Sequence, residues 1–112
     1  PMFVAVPTGS MIDYVEIDQI IRVEADNRYS IIYTVEKKFI ISKSIGEYES
    51  LLKAHNFLRV HNSHLINLKK VSSYNKKDGG YITTSDNAQI PLSRTHRAAF
   101  VKEMEKYLIL PD

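Results

Sequence analysis

Hydrophobic and polar positions alternate along this chain in short runs, and turn-forming clusters break the runs at close intervals. Phe3 to Val6 alternates weakly and stops at the turn cluster Pro7-Thr8-Gly9-Ser10. Met11 to Ile17 predicts a strand, with Met11, Val15 and Ile17 apolar and Asp13 and Glu16 polar. Asp18-Gln19 then makes a bend or a short helical turn. Ile20 to Ala25 predicts a second strand, ended by Asp26-Asn27, whose side chains favour turns. Tyr29 to Val35 is β-branched and aromatic, which fits a pleated, half-buried surface. It connects through Glu36-Lys37-Lys38 to a partner strand at Phe39-Ile40-Ile41.

The period then changes. Ser44-Ile45-Gly46-Glu47 has the spacing of a capping box: the Ser44 oxygen accepts from the Glu47 amide, and Glu47 reaches back. The helix it starts is expected to run to about Ala54, with Ile45, Tyr48, Leu51 and Leu52 on one face. Phe57 to Val60 returns to strand. Leu65, Ile66 and Leu68 anchor the next segment in the core and leave His61, Asn62 and Ser63 at an exposed corner. Val71–Tyr74 and Tyr81–Thr84 form a hairpin around Lys76-Lys77-Asp78-Gly79-Gly80. Gln89 to Leu92 is expected as an edge strand, because Pro91 cannot donate to a ladder. Ser93 is expected to cap a second helix to about Leu108, with Phe100, Met104, Tyr107 and Leu108 inward. Many short strands with two helices predict a mainly β fold, a sandwich or open barrel.

Composition narrows the functional classes. The 112 residues have the apolar (44%) and charged (25%) fractions of an ordinary globular protein and no internal repeat, so residues 1–112 are expected to be a single domain. The absence of cysteine excludes disulfides and Cys-based zinc sites. No apolar run approaches the roughly 18 residues of a membrane span, and no signal-peptide pattern opens the chain. The cytoplasm is the expected compartment, and a first residue of Pro1 suggests a piece excised from something longer.

Charge sharpens the picture more. Residues 1–26 hold five acids and one arginine, so the remainder carries the excess of positive charge. From Lys53 to Lys77 there are six Lys or Arg, three His and no Asp or Glu. Such asymmetry points to a face that meets an anion, as against a merely solvated basic surface.

Three loops concentrate the polar chemistry: Asp26-Asn27-Arg28-Tyr29-Ser30, His61-Asn62-Ser63-His64 with Lys69-Lys70 following, and Ser93-Arg94-Thr95-His96-Arg97. Arg, Asn and His beside short hydroxyl residues are the side chains that contact phosphates and base edges. In the third loop, cations stand at a helix start, where each is unfavourable by up to ~1 kcal/mol; a bound phosphate would reverse that sign. His61 and His64 lack a third ligand nearby in sequence, so a metal site would need distant carboxylates brought in by the fold, and Ser63 lacks a visible orienting group; no catalytic constellation is visible. Of the tyrosines, Tyr33, Tyr48, Tyr74, Tyr81 and Tyr107 are expected in or against the core, and Tyr29 in polar surroundings.

Four of these stretches, in order, carry a family resemblance. Ile20-Ile21-Arg22-Val23-Glu24-Ala25-Asp26-Asn27-Arg28-Tyr29 resembles "I-x-Y-I-E-A-x-x-x-Y" of the LytTR (LytR/AgrA/AlgR-type) DNA-binding domain. Ser42 to Glu49 is similar to that family's "S-K-T-L-K-E-F-E". Phe57 to Asn67 is similar to "F-x-R-V-H-R-S-Y-L-V-N", and Ile90 to Arg94 to "I-P-V-S-R". The resemblance implies an elongated, multi-stranded sandwich or open barrel of short antiparallel strands with two short helices. It also implies sequence-specific duplex-DNA binding, by loops that read successive major grooves, without enzymatic activity or cofactor.

Carried over by position, Tyr29 or Ser30, Asn62 and Arg94 are the expected base contacts. Asn27, Arg28, His61, Ser63, Lys69, Lys70, Ser93, Thr95 and Arg97 are the expected backbone contacts. Asn62 departs from the basic residue many members have there, and the first loop lacks the His some use. Such domains are usually the output half of bacterial response regulators in two-component systems, after a receiver domain in the same parent chain, and bind direct-repeat sites as dimers. The alternative is a basic-faced protein-interaction module docking an acidic partner; a metal-dependent nuclease through His61 and His64 is a third.

Overall fold

The alternation resolves into ten strands and two helices in a computed structural model that describes residues 2–111. In chain order these are β1 (Phe3–Thr8), β2 (Met11–Glu16), β3 (Ile20–Asp26), β4 (Tyr29–Thr34), β5 (Lys38–Ile41) and α1 (Ile45–Leu52). They continue with β6 (Phe57–His61), β7 (His64–Asn67), β8 (Val71–Asn75), β9 (Tyr81–Thr84), β10 (Gln89–Pro91) and α2 (Arg97–Met104). Single 3-10 turns at Ile17–Gln19, Lys53–His55, Leu68–Lys70, Arg94–His96 and Glu105–Tyr107 make the corners. The fold is mostly β with two short helices, as expected, and elongated at 52 × 31 × 23 Å.

Three antiparallel sheets divide the work: the hairpin β1-β2, a five-stranded sheet in the order β5-β4-β3-β7-β6, and a three-stranded sheet β10-β9-β8. The five-stranded sheet is covered on both faces, and β3 at its centre reads Ile20, Ile21, Arg22, Val23, all buried. One face packs Val23, Ile32, Phe39, Ile41 and Leu65 against Val6 and Val15 of the hairpin and Ile45, Tyr48 and Leu52 of α1. Burying a large aliphatic side chain contributes about 1.5–3 kcal/mol, so this cluster dominates stability. The other face packs Val60 and Ile66 against Ile82, Ile90, Leu92 and Phe100, with the Tyr74 ring edge-on to Phe100 at 5.3 Å.

Several expectations are corrected in detail. β1 runs through Pro7, opposite Ile12, because a two-stranded hairpin offers the edge position that proline tolerates. In α1 the Ser44 oxygen accepts from the Glu47 amide at 3.2 Å, but Glu47 turns to Lys43 Nζ at 3.8 Å instead of reaching back. Leu51 is exposed, since the buried stripe of so short a helix is Ile45, Tyr48 and Leu52.

α2 is shorter than expected at both ends: it starts at Arg97, and after Met104 the chain tightens into a 3-10 turn. Phe100 is buried and Met104 packs against the second core, while Tyr107 and Leu108 are exposed. Tyr107 stays at the rim because its hydroxyl donates to Asn56 Oδ1.

Candidate nucleic-acid interface

β3 and β7 are antiparallel neighbours, with Glu24 opposite His64, so the turn after β3 and the turn before β7 fall at one end of the sheet. The Ala25 amide donates to the Ser63 carbonyl at 2.9 Å and ties the first loop to the second. The Ser93 amide donates to the Val60 carbonyl at 2.9 Å and ties the third loop to the second. The structure therefore brings the three loops together, with His61-Asn62-Ser63 in the middle.

The first loop is a two-residue connection, Asn27-Arg28, with Asp26 paired to Tyr29. Asn27 has φ +55°, a left-handed conformation that Asn tolerates better than most residues, so the backbone gives its own reason for Asn here. Asn27, Arg28 and Tyr29 are exposed. Ser30 is not: it is fully buried, and its hydroxyl donates to the Lys43 carbonyl at 2.7 Å. Strand alternation points Ser30 inward and Tyr29 out, which removes Ser30 from the surface this loop presents.

The second loop joins β6 and β7 through Asn62-Ser63, with His61 opposite His64. Asn62 is exposed, and His61 and Ser63 are half-buried. The His61 Nδ1 accepts from the Ser63 amide at 3.1 Å, which leaves Nε2 as the donor atom of the neutral ring. Arg59 donates from Nε to the His61 carbonyl at 3.0 Å, from Nη2 to the Asn62 carbonyl, and from Nη1 to Glu49 Oε1 at 2.7 Å.

Behind this turn, His64 Nδ1 is buried, has no hydrogen-bond partner among the described residues, and lies 3.6 Å from Glu24 Oε1. Burial, and secondarily the neighbouring His61 and the charge of Arg22, lower its pKa against the opposing pull of Glu24. His64 is thus neutral near pH 7, and its contact with Glu24 is too long for a hydrogen bond and is not an ion pair.

In the third loop Arg94 and Thr95 are exposed. Ser93 does not cap the helix as expected: its hydroxyl donates to the Val60 carbonyl at 3.3 Å and is shared with His96 Nδ1. Arg97 is half-buried, with Nη2 donating to the Gly79 carbonyl of the β8–β9 turn. Gly80 in that turn has φ +90°, and an added Cβ would stand 3.4 Å from Tyr74 Cε1 and 3.5 Å from Arg97 Nη2. Those are ordinary van der Waals distances, so it is the positive φ, strained for any residue with a side chain, that favours glycine in this turn.

Two groupings made from sequence are revised. Lys69 and Lys70 follow β7 at its far end, where Asn67 Nδ2 donates to the Ile20 carbonyl at 2.9 Å. A strand of that length separates them from the loops by about 10 Å or more. Conversely, the Arg97 and Leu92 contacts with Gly79 and Gly80 bring the exposed Lys76 and Lys77 beside the third loop. Their place in the acid-free basic window was the signal for them. The His61 and His64 rings are 5.3 Å apart, and among the described residues no group of three His, Cys, Asp or Glu side chains could hold a metal ion. Among the described residues no helix is long and apolar enough to cross a membrane.

Residues 10–105 match the family model described as the LytTr DNA-binding domain. The heme-containing CO-sensing transcriptional regulator RcoM 2 of Paraburkholderia xenovorans is 30% identical over 98 residues, 85% of this chain and 36% of that protein. The CO-responsive transcriptional regulator RcoM of Rhodospirillum rubrum is 28% identical over 77% of this chain and 38% of that protein. The chain therefore spans little more than a third of these relatives. A solved LytTr DNA-binding domain from Bacillus cereus superposes with a TM-score of 0.80 at 19% identity, covering 93% of this chain and 97% of that one.

Proposed function

We propose that this chain, which belongs to the LytTR DNA-binding domain family, binds duplex DNA sequence-specifically by presenting three loops to successive major grooves. The observation that carries the reading is the meeting of Asn27-Arg28-Tyr29, His61-Asn62-Ser63 and Arg94-Thr95 at one end of the molecule, where Asp26 at the base of the first loop is the one carboxylate of the three loops. Arg94 has the side-chain chemistry for a bidentate pair with guanine, Asn62 for one with adenine, and Tyr29 supplies the first loop's contact to the bases. Arg28, His61 Nε2, Thr95, Lys76 and Lys77 contact phosphates and set the register. No catalytic step and no cofactor enters this reading.

In its parent protein such a domain serves as the output part of a bacterial transcription regulator in the cytoplasm, working as a dimer on direct-repeat sites. A receiver domain is the input that the family resemblance implies, whereas the relatives above are named for CO sensing. The test is a titration of the domain with duplex DNA at two salt concentrations, together with a random-site selection. The expected result is a steep, linear fall of log affinity with log salt and one enriched sequence. Equal, shallow binding to every duplex would sink the reading and favour an acidic protein partner.

A further inference from the structure

Asn62 is exposed at the tip of a turn whose backbone departs from the usual hairpin geometry. Two-residue hairpins are ordinarily stable when their central residues take positive φ, because that twist matches the strands. Neither Asn62 nor Ser63 does so, and the pairing of β6 with β7 is irregular between Arg59 and His61. Within the turn the Ser63 amide donates to His61 Nδ1, and bonds from outside it add to the hold on the backbone of Asn62.

Arg59 supplies that hold. Its three guanidinium nitrogens are each engaged: two on the consecutive carbonyls of His61 and Asn62, the third on Glu49 in α1. Three of its five N–H donors are taken and the side chain is only 22% exposed, which disfavours a phosphate contact. The planar fork bridges two carbonyls and a carboxylate at once, which the single ammonium of lysine cannot do. We propose that Arg59, oriented by Glu49, is the positioning residue that sets how Asn62 meets a base edge, and is not itself a DNA contact. This rests on the DNA-reading function proposed above.

The two roles predict opposite signs at Glu49. Removing a carboxylate beside a polyanion strengthens binding if only charge matters. If Glu49 orients Arg59, Glu49→Gln weakens binding to the preferred site several-fold and blurs the base preference at one position. Arg59→Lys keeps the charge; it is expected to lose about tenfold in specific affinity while leaving the slope of log affinity against log salt unchanged. Asn62→Ala removes the same base preference, and adding Arg59→Lys to it costs little more, because the two act through one contact.

Competition binding of the wild type and these variants, with denaturation midpoints measured alongside, decides the matter. The role is overturned if Glu49→Gln binds as tightly as wild type with its preference intact, or if Arg59→Lys binds the preferred site as tightly as wild type, as a plain charge contact to phosphate would. A wild type without sequence preference would overturn the DNA reading and this role together. That failure shows in the unaltered domain, whereas failure of the Arg59 role alone shows only in the variants.

Discussion

Arg22 and Arg59 both stand on the five-stranded sheet, and both hold a carboxylate, but they hold different things together. Arg22 is on the central strand and faces the second sheet. Its Nε donates to Asp86 at 2.9 Å, its Nη1 to Glu24 at 3.1 Å, and its guanidinium lies 3.6 Å from the centre of the Tyr33 ring. Arg59 is on an outer strand and faces α1, and two of its three bonds go to backbone carbonyls of a turn. One arginine joins two sheets; the other braces one loop. The same residue type therefore serves the fold in one place and the surface that meets a ligand in the other, and the partner atoms decide which.

The largest test of that contrast is Arg22→Met. Removing one member of a buried charged network strands its partners, and the expected loss of stability is about 3 kcal/mol in chemical denaturation. Asp86 reports on the same network: burial alone would raise its pKa, yet hydrogen bonds from Thr84 and Arg22 and the Arg22 charge hold it below the usual carboxylate value. The folded fraction should keep its base preference. A domain that lost preference at unchanged stability would erase the distinction between the two arginines.

Arg94→Ala tests the opposite pole. Arg94 is exposed, so stability should stay within about 0.5 kcal/mol. Specific affinity is expected to fall by ~1–3 kcal/mol, with relaxed preference at one position in a binding-site selection. An unchanged selection would remove Arg94 from the bases.

The sequence showed some of this and hid the rest for physical reasons. Strand positions were legible because alternation is local, and the three loops because turn residues and basic side chains cluster in them. The Ser44 cap and the Pro91 edge strand were legible for the same reason. Arg59 was visible only as one more charge in a basic window, since its partner Glu49 is ten residues away and its other partners are backbone atoms. Lys69 and Lys70 read as neighbours of His64, and only the direction of β7 carries them to the far end of the sheet. Lys76 and Lys77 are distant in sequence from Arg94, and the Arg97–Gly79 contact brings them near. Ser30 and Tyr29 could not be separated until the register of β4 was known.

His64 sits between the two arginine systems, with Glu24 on one side and His61 on the other, so pH sharpens the comparison. Its pKa is lowered in the folded state, so the unfolded chain takes up a proton more readily. Stability is therefore expected to fall as pH drops from about 6.5, the ordinary histidine value, toward the lower folded value. His64→Gln should flatten that part of a stability–pH profile. A slope that persists unchanged in the variant would assign it to another group.

The smallest expected effects separate the lysines, and they test whether the loop end alone meets DNA. Lys76→Ala should reduce the slope of log affinity against log salt by about one, weakening all sequences alike, because a phosphate contact carries no sequence information. Lys70→Ala should leave the slope unchanged, since the far end of β7 lies outside the three-loop surface. Both lysines are basic residues of the same acid-free window, so composition predicts equal effects and geometry predicts different ones. Equal reductions would mean that DNA tracks along the side of the domain past both sites. The loop end would then be one part of a longer contact.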